Sequence, residues 1–156
     1  MKRIDKYPET AYFVYHNQNP KNKHTEDCVF RAFSLGLDQE YDKTVLEMAK
    51  IMCETGYSMI GAKGESAYLK SKAWIKNKQL KHDDGSKYTG KDFAAWLSIK
   101  YPNGEIGNVI CHLGSHHTVC FKPTFHGDGI NCRYKCHDTW DSTGGKVGVW
   151  WTKVAV

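Results

Sequence analysis

No run of about 18 apolar residues occurs in the chain, so nothing in it reads as a membrane-spanning helix. It has no internal repeat, no low-complexity stretch and no linker, which gives no reason to divide it. The opening residues, MKRIDKYPETAYF, are charged and lack the apolar core of a secretory signal. The expectation is a cytoplasmic protein with reduced thiols, so an even number of cysteines argues little for disulfides. Helix-turn-helix, finger and RNA-binding signatures are missing, and no nucleic-acid partner is expected.

What is present fits one domain. The 156 residues suffice to bury a core without disulfides or metals. Apolar residues make up 40% and charged residues 25%, as in ordinary globular chains. The net charge of +5 is spread out, and its densest basic segment, Lys70 to Lys81, reads as a solvated face.

Residues 1–22 read as an extended arm and loop, with strand-like alternation from Ala11 to Tyr15. A helix opens at Cys28 and carries Val29, Ala32, Phe33 and Leu35 on one face up to Gly36. A second helix is predicted over Tyr41 to Glu54, with Val45, Leu46, Ala49, Ile51 and Met52 as its buried stripe and Gly56 ending it. A weaker third covers Glu65 to Lys76. Thr89-Gly-Lys-Asp92 has capping-box spacing and opens a fourth through Phe93, Ala94, Trp96 and Leu97. Strands follow over 106–113, 118–122, 131–137 and 147–154, with Gly127-Asp128-Gly129 as a hairpin turn. The predicted class is α+β, with N-terminal helices on one side and a C-terminal antiparallel sheet on the other.

Three segments carry chemistry. Glu26-Asp27-Cys28-Val29-Phe30-Arg31 sets a cysteine at a helix start, where unpaired N–H groups and the helix dipole favour thiolate. Those N–H groups can also hold an oxyanion. Ser115-His116-His117-Thr118-Val119 places a candidate base at a strand start. His117 is preferred over His116 because Val119 and Phe121 share its strand face. Cys136-His137-Asp138-Thr139-Trp140 ends a strand in a carboxylate that can accept an imidazole Nδ1–H, with Trp140 shielding that bond from water. Cys132-x3-Cys136-His137 with Cys111, His112 and Cys120 offers soft ligands of the kind zinc takes. Positions 132 and 136 lie far apart along a strand and no second knuckle exists, so neither a metal nor a cofactor is expected.

The order Cys, His, Asp resembles the papain-like cysteine peptidases. His117-Thr118-Val119 stands at their His-x-Val, and Asp138-Thr139-Trp140 at their Asn-Ser-Trp. More closely, the chain resembles small phage and bacterial papain-like proteins that carry Asp-Cys-x-x-Arg-Ala, a histidine strand and Asp-Thr-Trp-Asp. The match runs from about Asn17 to Trp151. The resemblance implies a single papain-like domain over 1–156, a catalytic Cys28, His117 and Asp138, and a peptide or protein substrate. It also implies a cytoplasmic setting in a bacterial host. Papains carry an oxyanion-donating Gln six residues before the cysteine, and Asn22 holds that offset here. They also carry Gly-Ser-Cys-Trp, which is absent here. Other readings are a cell-wall amidase or endopeptidase of the NlpC or CHAP type and a non-catalytic binder of a host factor on the same fold.

Overall fold

One sheet gathers strands from both ends of the chain. The structure is a computed structural model that describes residues 1–125 and 132–156. The Gly127-Asp128-Gly129 turn and Asn131 lie outside the described residues. The helices are α1 (Arg3–Lys6), α2 (Cys28–Gly36), α3 (Tyr41–Thr55), α4 (Ala62–Ser71) and α5 (Gly90–Lys100). The strands are β1 (Phe13–Tyr15), β2 (Ile75–Asn77), β3 (Val109–Leu113), β4 (His117–Phe125), β5 (Cys132–Asp138) and β6 (Val147–Thr152). Their order across the sheet is β1-β5-β4-β3-β6-β2.

The class is α+β, but two details of the predicted arrangement are corrected. The sheet is mixed: β1 pairs parallel with β5, while the other pairs are antiparallel. Helices also cover both faces, because the central strands are apolar on both sides. Val109, Cys111, Val119 and Phe121 pack with Phe93, Ala94 and Leu97 of α5. Ile110 and Cys120 point the other way, to Val29, Ala32 and Phe33 of α2 and to Met48, Tyr68 and Leu69 behind them.

Helix α2 lies close on the sheet. A Cβ at Gly36 would come within 2.6 Å of Ile110. Asn108 Nδ2 donates to the Gly36 carbonyl at 3.1 Å, satisfying a group that the helix end leaves open. Helix α3 ends as expected at Gly56, whose φ of 75° is left-handed. Its buried stripe differs from the predicted one: Met48 is 1% exposed, while Leu46 is 71% exposed and Met52 37%. Thr44 takes the place next to Met48. Its hydroxyl accepts from Gln39 Nε2 at 2.7 Å and donates to the Glu40 carbonyl at 3.0 Å, so this polar side chain is satisfied where it is buried.

The predicted third helix stops at Ser71 because Ala73 takes a φ of 60° and reverses the chain. Ile75–Asn77 then becomes an edge strand on β6. In this basic segment Lys72 pairs with Glu47, and Lys76 stands 5.9 Å over the Trp151 ring. The capping box of α5 is formed in both directions, Asp92 N to Thr89 Oγ1 at 3.1 Å and Thr89 N to Asp92 Oδ2 at 3.0 Å. The N-terminal arm runs along the far edge of the sheet, where Arg3 Nε donates to the Thr139 carbonyl at 2.8 Å. Among the described residues no helix is long and apolar enough to cross a membrane.

Candidate active site

Helix α2 begins at Cys28, so its first N–H groups have no intrahelical partner. Asp27, just before it, makes no side-chain cap. Its carboxylate instead reaches one turn on, accepting from Arg31 Nε at 2.8 Å. Asn19 Nδ2 and the Tyr41 hydroxyl donate to its other oxygen at 2.9 and 2.8 Å. Arg31 continues the chain of contacts, with Nη1 donating to Asp138 Oδ1 at 2.5 Å. Thr139 N donates to the same oxygen at 2.7 Å. Asp138 Oδ2 lies 2.5 Å from His117 Nε2. His117 in turn bonds the Cys28 thiol, which also takes a backbone hydrogen bond from Thr118. A continuous chain of polar contacts thus runs from Asp27 to Cys28, and Asp27, Arg31 and Asp138 are all buried.

Cys28, His117 and Asp138, singled out in the sequence, therefore meet. One detail is corrected: Asp138 takes Nε2, not Nδ1. His117 and not His116 is paired, and His116 is exposed beside it. The Trp140 ring lies 5.0 Å from that of His117 and is itself 38% exposed, as a cover over the histidine would be. Asn22 does not reach the site. It is an exposed loop residue with a φ of 52°, and its side chain accepts from Asn17 at 3.4 Å. It is absent from the lining of the cavity that holds Cys28.

The electrostatics follow from these contacts. Burial by itself would raise the Cys28 thiol, but His117, the Thr118 backbone and the Arg31 charge outweigh it and hold it below its ordinary value. Burial would lower His117, yet its bonds to Asp138 and Cys28 push it up to about 9. Burial also works against the Asp27 carboxylate, and Arg31, Asn19 and Tyr41 overcome it and keep it low. The four cysteines in the sheet, Cys111, Cys120, Cys132 and Cys136, are buried free thiols. Burial raises each of them, Cys120 to about 12.

The site opens on a cleft. A cavity of about 510 Å³ is lined by Cys28, Val29, Arg31, Ile60, His117 and Trp140 among others. Val29, Ile60, His116 and His117 also line a neighbouring chamber of about 270 Å³. No residue of the N-terminal arm lines either space.

The roles of Arg31 and Asp27 were not assigned from sequence, although both stand in the Asp-Cys-x-x-Arg segment. Their i,i+4 spacing on a helix is the signal that pairs them. Nothing local points Arg31 at Asp138, which is 107 positions away.

Fold and site together define an α+β domain with a Cys-His-Asp constellation at the end of a helix-covered sheet. Compared with protein-family models, curated proteins and solved structures, the chain gives no significant match.

Proposed function

We propose that the protein is a papain-like cysteine hydrolase of peptide or isopeptide bonds. The observation that carries this reading is the bonding of His117 to both Asp138 and a Cys28 thiol that is lowered and faces an open cleft. A thiol kept as a small buried hydrophobe would be raised, as the sheet cysteines are.

In the proposed reaction the resting pair is Cys28 thiolate and His117 imidazolium. The thiolate attacks the substrate carbonyl, forming a C–S bond and an oxyanion held by N–H groups at the start of α2. The oxyanion collapses, the C–N bond breaks, and His117 gives its proton to the leaving amine. The acyl group now rests on sulfur as a thioester. Neutral His117 takes a proton from water, whose oxygen attacks the thioester carbonyl. The C–S bond breaks, the acid leaves, and the thiolate–imidazolium pair is restored. Asp138 fixes the ring and stabilises its charged form, while Arg31 fixes Asp138. No metal or organic cofactor enters this scheme.

Iodoacetamide labelling of the folded protein against pH, read by peptide mass spectrometry, tests it. Cys28 is expected to alkylate well below pH 7, with that advantage lost in His117→Ala. Exposed Cys53 is the internal reference. If Cys28 reacts no faster than Cys53, the hydrolase reading fails and a binding role takes its place.

A further inference from the structure

The hydrolytic scheme does not use the chamber beside Cys28, whose lining carries one carboxylate, Glu65, together with His112, His116 and His117. Glu65, in the first turn of α4, lines it and is only 5% exposed. The Thr118 hydroxyl donates to Glu65 Oε1 at 3.0 Å, and His112 Nε2 lies 3.3 Å from the same oxygen. Oε2 has no hydrogen-bond partner among the described residues, and no lysine or arginine pairs with this carboxylate there. A nearly buried carboxylate whose one basic neighbour at hydrogen-bond distance is a histidine is stabilised further when a ligand supplies a permanent positive charge. Gly61 and Ala62 keep that lining free of bulk, and the space of about 270 Å³ is on the scale of one side chain. It shares Val29 and His117 with the Cys28 cavity, so a group seated there belongs to a residue close to the bond under attack.

We propose that Glu65 makes this chamber a subsite for a cationic substrate side chain, lysine or arginine, near the scissile bond. The proposal rests on the hydrolase reading for its meaning, but the binding preference is testable without it. The first arm uses acetylated tetrapeptide vinyl sulfones with Lys, Arg, norleucine or Glu at each position in turn. The rate of Cys28 adduct formation is read by intact mass. At one position the cation is expected to exceed norleucine by about tenfold, the worth of one charge-assisted hydrogen bond. In Glu65→Gln, which keeps an oxygen for Thr118, that ratio should fall to about one. Each ratio is taken within one variant, so a general loss of reactivity cancels.

In the second arm the same peptides, as plain amides, are titrated calorimetrically onto Cys28→Ala. The same cation preference is expected there, and it should again vanish when Glu65→Gln is added. Absence of a cation preference in both arms, or its survival in Glu65→Gln, overturns the subsite. Iodoacetamide labelling of Cys28 no faster than Cys53 removes the hydrolase reading alone, and the calorimetric ratio still decides the subsite.

Discussion

The sheet interior and the start of α2 hold the same chemical group in opposite states. Cys111, Cys120, Cys132 and Cys136 stand in the sheet among apolar side chains, where burial raises every thiol. Cys28 is also partly buried, yet it is lowered. Cys28 lies less deep, but burial still works against its thiolate, and donors decide the sign. Cys28 has an imidazole, a backbone N–H and a nearby guanidinium, whereas Cys111 and Cys136 have only neighbours that raise them further. Burial sharpens whatever electrostatics surround a group, so His117, the Thr118 backbone and Arg31 hold the Cys28 thiol down despite its burial.

The largest effect should come from removing the donor that makes the two regions differ. His117→Ala is expected to cut hydrolysis of a peptide substrate by about 10⁴-fold, as for other nucleophile–base pairs. Cys28 alkylation should then fall to the level of an ordinary thiol. Steady-state rates with the fold checked by circular dichroism read this, and a loss under tenfold would mean another base serves.

Next is Arg31, which separates two buried carboxylates. Arg31→Met keeps the stem but leaves Asp27 and Asp138 without their cation, and should cost about 3–5 kcal/mol in urea unfolding. A change below about 1 kcal/mol would place the pair among weak surface bridges.

Acid–base titration draws the comparison more finely. His117 is raised from 6.5 to about 9, so its pairing stabilises the fold fully below 6.5 and is lost as pH rises through about 9. Hydrolysis, which needs the imidazolium proton for the leaving amine, should fall above about pH 9. Alkylation needs only thiolate and should not fall there. Parallel alkaline limbs in the two profiles would contradict the assignment of His117 as the acid.

The smallest effect lies on the opposite face of the sheet. Thr89→Ala removes the capping box of α5 and should cost about 1 kcal/mol in stability. The Cys28 alkylation rate should be unchanged. A coupled loss would mean that the two faces share more than the sheet.

Much of this was legible in the chain. The Cys28 helix, the Thr89–Asp92 cap and the four long strands follow from local spacing and from side chains that act within one turn. Cys28, His117 and Asp138 each stand at an element boundary, and it is their order together with the papain-like resemblance that singles them out. Two expectations differ from the structure where polar side chains bond within their own segment. Leu46 and Met52 look like core, but α3 turns Thr44 and Met48 inward. Asn22 has the right offset from Cys28, yet its loop folds it outward.

The sequence by itself determined which segments are helix or strand and which three residues could form a nucleophile, a base and an orienter. These are short-range properties, set by backbone sterics and by the 3.6- and 2-residue periods. Only the tertiary structure decided that β1 joins the sheet in parallel, that His117 gives Nε2 to Asp138, and that Arg31 braces that aspartate. It alone brought Glu65 to Thr118 across 53 positions of chain and so gave the chamber beside Cys28 its one carboxylate. Such contacts depend on how two faces of one sheet are covered, and no local pattern records that choice.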